Sequence, residues 1–242
     1  MQENPIRAVI VAGGRGVRMG AATDALPKPM LPLGGKPILE YQLEWLKASG
    51  ITEVFMCLGY KAEAVSDYFS DGKRWGLKLR YQIEKTPRGT AGAVRDLASR
   101  LGDDALIVYG DLYVKMNCKK FLNFHASHSG AASLVLIESD HPADSDLARL
   151  DKDRITGFYR AQPGRPYANL ACAAVWAVRR PLLDLIPTDK PSDFGRETFP
   201  LALAKGMALM GYRTKEILAD LGTPERLEAF MRRHPLLQGG GR

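Results

Sequence analysis

Cysteine is scarce in this chain, with 3 in 242 residues. Cys57, Cys118 and Cys172 are far apart and form no C-x-x-C pair, which excludes a disulfide framework and a cysteine-based zinc site and makes a reducing, cytoplasmic compartment the expected one. Histidine is as sparse, its 4 copies scattered at His125, His128, His141 and His234. No apolar run approaches the roughly 20 residues needed to cross a bilayer. The polar opening Met1–Pro5 passes straight into a strand, so no secretory signal and no membrane partner are expected. Repeats and low-complexity stretches are missing, and residues 236–242 read as a flexible tail. Basic residues outnumber acidic ones, 34 to 27, for a net charge of +7. They form no basic stripe and no recognition motif; pairs such as Lys73-Arg74, Lys119-Lys120 and Arg232-Arg233 read as solvated helix faces, so nucleic acid is not an expected partner.

What the chain does have is a loop. An apolar run, Ala8 to Ala12, reads as a buried strand and feeds AGGRGVRMGAATDALPKPMLPLGGKP, residues 12–37. Gly13, Gly14 and Gly16 let backbone approach a ligand and present bare N–H groups. Arg15, Arg18 and Lys28 add positive charge in the same stretch, with Lys28 set between two fixed-φ prolines. Such a loop is a polyphosphate cradle. A P-loop is excluded because no Lys-Ser or Lys-Thr follows the glycines at the required spacing, and a dinucleotide fingerprint fails at Met19 and lacks its acidic residue after Leu58-Gly59. A protein-kinase glycine loop fails for want of a His-Arg-Asp or Asp-Phe-Gly.

Strand and helix signals alternate along the first half. Strands are expected at 6–12, 53–58, 79–83 and 105–109, and helices at 38–49, 61–69 and 90–101. Tyr41 and Trp45 fall on the apolar face of the first helix and read as core. Asn117 is placed to cap a helix running to about 129. From about 132 the strands crowd together, at 132–137, 147–151, 155–159, 171–178, 207–212 and 216–220, as an antiparallel or mixed extension of the same sheet. Helices are expected at 181–186, 194–205 and 223–233, the last with Thr223 as N-cap and Pro224 in its first turn. The class is α/β: a Rossmann-like domain over 1–235 with a mixed, mostly parallel central sheet and helices on both faces, a first half over 1–130 and a second over 131–235.

In such a sheet ligands bind beyond the carboxyl ends of the strands. Ala12, the Glu84–Thr90 loop and Gly110-Asp111 all fall there and are expected to converge. Asp111, at the end of an apolar strand, is placed to hold Mg²⁺, and Asp220, before the Gly222-Thr223-Pro224 turn, is the natural second carboxylate. A turn-forming role remains open for both.

At these residues the chain resembles the nucleotidyltransferases that build nucleotide sugars from a sugar 1-phosphate and a nucleoside triphosphate. Their signature, G-G-x-G-[TS]-R-[LM] followed by P-K-P-[ML]-x-P-[VL]-x-G-[KR]-P, stands here at Gly13–Met19 and Pro27–Pro37. Further matches occur at Glu84–Ala93, Tyr109-Gly110-Asp111, Arg154–Phe158 and Asp220–Glu225, and the look is that of bacterial members acting on mannose or heptose 1-phosphates. The resemblance implies transfer of a nucleoside monophosphate to a sugar 1-phosphate with release of pyrophosphate. GTP is preferred by resemblance alone, with UTP and CTP open. It also implies that Ala12–Gly14 and the Gly89-Thr90 turn hold base and ribose, and that Gly110 lies on the substrate side.

A phosphate monoester has a second pKa of about 6, so the attacking oxygen needs no general base and none of the histidines needs a catalytic role. The reaction does need two anions held together and charge neutralised as it develops. Arg18 and the Gly13–Gly16 amides would grip the outer phosphates, Lys28 would face the α-phosphate, and Mg²⁺ on Asp111 and Asp220 would bridge the reacting groups. Several positions depart from the family pattern. Val17 replaces a hydroxyl residue, and Arg88 replaces an apolar one. The family's F-x-E-K reads Phe158-Tyr159-Arg160-Ala161, and its N-x-G reads Cys172-Ala173-Ala174. Asn169, and Arg160 or Arg165, are the candidate replacements on the sugar side. Two other readings stay open: a non-catalytic subunit of the same fold, and a glycosyltransferase, although Asp111-Leu112-Tyr113 lacks the Asp-x-Asp of that class. Homo-oligomerisation is also left open.

Overall fold

A computed structural model describes residues 6–162, 164 and 166–237. Arg165 and residues 238–242 of the expected tail lie outside the described residues, whereas the first two residues of that tail, 236 and 237, belong to a 3-10 turn, Pro235–Leu237. Contacts divide the chain into two compact units that interleave in sequence: one of residues 7–87, 108–116 and 217–237, the other of residues 88–107 and 117–216.

The first unit holds parallel strands Lys78–Ile83, Glu53–Leu58 and Arg7–Ala12, paired in that order. Residues such as Val9, Ile10, Val54, Met56 and Leu58 are almost fully buried, the pattern of strands covered on both faces. The helices Ile38–Ala48 and Ala62–Phe69 follow two of these strands. Trp45 is core, as read, and its indole N–H is satisfied by the Met116 carbonyl at 2.8 Å. Tyr41 is only half-buried and donates to the Leu33 carbonyl at 2.8 Å.

One expectation is corrected in this unit. The strand near 216–220 does not extend the main sheet. Ile217–Asp220 pairs antiparallel with Leu112–Lys115, a strand not anticipated, in a separate two-stranded sheet. Leu112 and Val114 alternate with half-buried or exposed neighbours, so this four-residue segment carries a strand pattern too short to stand out beside Asp111. After it, Thr223 caps the helix Pro224–Arg233 by accepting from the Arg226 amide, with Pro224 in the first turn as expected.

In the second unit the strands Ala171–Arg179, Ala132–Ile137, Leu209–Arg213, Arg154–Tyr159 and Leu147–Asp151 lie side by side in that order. Their pairings are antiparallel except for Leu209–Arg213 on Ala132–Ile137, which is parallel. This is the mixed half of the α/β class. The expected helix 90–101 breaks into Gly89–Arg95 and Ala98–Leu101. The one at 194–205 opens as a π-helical turn, Phe194–Thr198, before Phe199–Ala204, because Pro200 has no N–H to give to the preceding turn. Asn117 caps its helix through the Lys120 amide, but the helix stops at Ala126.

Two of the histidines, a buried His125 and a half-buried His128, form a hydrogen-bonded chain in this unit. The Gly130 amide donates to His128 Nδ1 at 3.0 Å, which leaves that ring its proton on Nε2. His128 Nε2 donates to Ser133 Oγ at 2.8 Å, and the hydroxyl donates to His125 Nδ1 at 2.8 Å. His125 Nε2 then faces Asp104 Oδ1 at 3.7 Å, while Arg179 donates to the carbonyls of His125, His128 and Gly130. Burial, with His125 and Arg179 nearby, lowers the His128 pKa from 6.5. The unfolded chain therefore binds this proton at a higher pH than the folded one does. The stabilisation is complete above the unfolded value of 6.5 and is lost as pH falls below it. We expect a lower urea midpoint at acid pH than at neutral pH, with a shallower dependence in His128→Gln. An equal dependence in both chains would rule out His128 as its source.

Among the described residues no helix is long and apolar enough to cross a membrane.

Candidate active site

The glycine loop leaves the end of the Arg7–Ala12 strand and immediately meets two neighbours. A Cβ on Gly13 would lie 3.3 Å from Glu84 Oε2, and one on Gly110 would lie 2.8 Å from the Ala12 Cβ. Ala12, Gly13, Glu84 and Gly110 are thus brought together at the carboxyl ends of their strands, as expected. Gly16 adopts φ 66° and opens the short 3-10 turn Val17–Met19, which closes through the Met19 amide on the Gly16 carbonyl. Arg15, Val17 and Arg18 are exposed, and Arg18 makes no ion pair among the described residues. Met19 turns inward and packs with Leu31, Leu33, Ile38, Leu221 and Phe230, so the loop is fastened on its far side by apolar burial.

Lys28 is the centre of the site. It is only 6% exposed, a rare state for lysine, and its ammonium is ion-paired with Asp111 Oδ2. The Lys28–Met30 3-10 turn, with Pro27 before it and Pro29 within it, holds the stem. Asp111 is set by Gln42, which is fully buried and donates to the carbonyls of Tyr109 and Leu112 at 2.7 Å each, one on either side of Gly110-Asp111. Asp220 arrives on the neighbouring strand. It stands opposite Leu112, and the Leu221 amide donates to the Asp111 carbonyl at 3.1 Å. Its Oδ2 is held by Arg226 Nη1. A Cβ on Gly222 would fall 2.4 Å from Asp220 Oδ1 and 3.1 Å from Lys28 Nζ, so this glycine sits directly between them. Gly16 presses on the other side of Lys28, where a Cβ would be 3.1 Å from the Lys28 Cβ.

Gln42 and Arg226 were not among the residues singled out from sequence, and Gly222 was read only as a turn former. A buried glutamine on an otherwise apolar helix face was the available signal for the first. The others become visible only once Asp111 and Asp220 are adjacent.

The remaining expected residues lie in the second unit. Gly89 has φ 72°, and Thr90 Oγ1 donates to Asp193 at 2.8 Å and accepts from the Phe194 amide. Arg88 pairs with Asp96 and donates to the Thr188 carbonyl, which secures the turn from the side. Asn169 spends its amide on Ser139, accepting from the backbone N–H at 3.2 Å and donating to the carbonyl at 2.7 Å. Arg160 is exposed and paired with Asp146 at 3.0 Å.

Ala174, at the position of the family's glycine, lies in a bulge where Cys172 pairs with Leu136 but Trp176 with Leu134, and its φ is +52°. An alanine held there is strained. Ala174→Gly is expected to raise stability by about 0.5–1 kcal/mol after the entropic cost of glycine, read as a higher urea midpoint. A lower midpoint would mean that the methyl packs better than the strain costs.

Comparison with known proteins identifies the family of the chain. A family model described as nucleotidyl transferase matches residues 7–234. A mannose-1-phosphate guanylyltransferase of Mycobacterium tuberculosis is 32% identical over 228 residues, covering 93% of this chain and 63% of its own length. The chain therefore spans less than two thirds of that relative. A D-glycero-alpha-D-manno-heptose 1-phosphate guanylyltransferase of Campylobacter jejuni is 37% identical over 115 residues, covering 48% of this chain and 52% of its own. The crystal structure of HddC from Yersinia pseudotuberculosis complexed with GMP-PN superposes with a TM-score of 0.79 at 24% identity, covering 94% of this chain and 99% of that one. With the family match running through the glycine loop, Lys28, Asp111 and Asp220, the chain belongs to the nucleotidyl transferase family.

Proposed function

We propose that this chain, acting as one catalytic domain over 1–235, transfers a nucleoside monophosphate from a triphosphate to a sugar 1-phosphate and releases pyrophosphate. The observation that carries this reading is the buried Lys28 ammonium on Asp111, with Asp220 beside it and the glycine loop alongside. A desolvated cation next to bare amide donors suits a reaction whose demand is electrostatic. The Gly13–Gly16 amides, Arg15 and Arg18 would bind the β- and γ-phosphates, and Lys28 would hold the α-phosphate and the incoming phosphate oxygen in line. Gln42 would keep the Asp111 turn fixed while charge moves. The donor set, two carboxylates with no nitrogen or sulfur, fits Mg²⁺, which would be held by Asp111 and Asp220 and would supply positive charge against the phosphate oxygens. In the first unit, Ala12, Gly13 and Glu84 would contact base and ribose and Gly110 the acceptor; in the second unit, Gly89 and Thr90 are the residues proposed for the nucleotide, and Asn169 and Arg160 those proposed for the acceptor.

GTP with mannose or heptose 1-phosphate is the favoured pair, supported by the guanylyltransferase names of the M. tuberculosis and C. jejuni relatives. The cytoplasm is the proposed compartment, on the cysteine count alone. The test is pyrophosphate release over four nucleoside triphosphates and a panel of sugar 1-phosphates. Release with GTP and one of those two acceptors is expected. A folded chain that releases none with any pair would favour the non-catalytic subunit.

A further inference from the structure

The Glu53–Leu58 strand ends in a knuckle, Gly59-Tyr60-Lys61, that grips the glycine loop at several points. A Cβ on Gly59 would lie 2.6 Å from the Gly13 carbonyl oxygen, so no side chain fits between the two segments. The Tyr60 amide donates to that same carbonyl at 3.3 Å, and the Tyr60 hydroxyl donates to the Thr23 carbonyl at 3.3 Å. The Arg15 guanidinium carbon lies 5.5 Å from the centre of the Tyr60 ring, within cation–π range. Lys61 has φ +51°, in the left-handed region that a side chain disfavours. Its ammonium donates to the carbonyls of Asp24 and Ala25, and it lies 5.4 Å from the same ring. A strained backbone at this position is held by contacts made almost entirely with residues 13–25.

We propose that Tyr60 and Lys61 are positioning residues for the phosphate loop, fixing Gly13–Arg15 at one end and Thr23–Ala25 at the other. The amides and the Arg15 guanidinium are then preset, and a triphosphate does not have to order them on binding. Without the knuckle the loop must be ordered by the ligand, which weakens binding and leaves the chemical step intact. The role in nucleotide binding rests on the transfer reaction proposed above; the tether does not.

The experiment therefore has two readouts. Arg15 and Arg18 are exposed, so tryptic cleavage after them reports loop order without any ligand. Tyr60→Leu and Lys61→Gly are expected to speed that cleavage by about tenfold and to raise KM for the triphosphate by about tenfold, with kcat reduced less than about threefold. Tyr60→Phe, which keeps the ring under Arg15, should recover most of both effects. Lys61→Gly also relieves the positive φ, so its Tm should hold or rise while its loop loosens, a combination that a lysine serving only stability would not produce. Wild-type cleavage rates in both Tyr60→Leu and Lys61→Gly, or in the one that folds where the other does not, would overturn the tether. A wild-type chain that binds no triphosphate would overturn the proposed reaction and leave the cleavage result to decide the tether alone.

Discussion

Lys28→Ala is expected to lower kcat for pyrophosphate release by about a thousandfold while KM for the triphosphate changes only a few fold. A charge-stabilising donor in a water-poor site is worth about 10²–10³ in rate when removed, and Lys28 combines such a site with a full charge. Its ammonium is out of water, held by Asp111, and 3.1 Å from where a Gly222 side chain would begin. An exposed lysine would be replaced by solvent and lose little; this one has a pocket shaped by Gly16, Gly222 and two prolines. The same substitution also empties the buried pocket that the lysine stem fills, so a Tm loss of a few degrees should accompany it. Lys28→Met, which refills the pocket with an apolar stem, should recover most of the Tm and none of the rate. An effect on KM alone would reduce the lysine to a binding contact. Full rate in the companion Asp111→Ala chain would remove the carboxylate from the mechanism.

The fold and the first half of the site were legible for different reasons. Strands such as Arg7–Ala12 and Glu53–Leu58 are continuous apolar runs that end at a glycine, a pattern that reads directly as a buried strand. Lys28 and Asp111 stood out because each carries an unusual flank, Pro-Lys-Pro for one and a strand-ending Gly for the other. The strand Leu112–Lys115 did not, because four residues next to a turn carry too little period to register. With it went the true partner of Ile217–Asp220, and so the reason Asp220 lies beside Asp111. Arg226 and Gln42 act through tertiary placement alone. Gln42 becomes functional only when its helix lies across Tyr109 and Leu112. Asn169 and Arg160 stood out only as polar residues near missing motif positions, and their side chains meet Ser139 and Asp146.

Glycine also carries two meanings that the sequence does not separate, and a pair of alanine substitutions divides them. At Gly89, φ is +72° and a Cβ would lie 2.4 Å from the Ser192 carbonyl oxygen and 2.9 Å from its carbon. These are backbone atoms, and they cannot swing aside. The Ser192 carbonyl accepts from the amides of Ala91 and Gly92, and the Ser192 amide donates to the Arg88 carbonyl, so shifting that segment forfeits three hydrogen bonds. Left-handed strain of about 1–2 kcal/mol and about 1 kcal/mol per lost bond give an expected destabilisation of about 4 kcal/mol for Gly89→Ala. In a chain of this size that is roughly a 10 °C fall in Tm. At Gly14 nothing lies within 4 Å of the added carbon, and φ is not in the left-handed range. Gly14→Ala should therefore leave Tm unchanged and raise KM for the triphosphate by about tenfold, because only a ligand approaching the backbone would meet the methyl. If Gly14→Ala instead lowered Tm and left KM alone, the open face of the glycine loop would not be where the phosphates bind. If Gly89→Ala kept its Tm, the turn at 88–90 would not be zipped onto Ser192.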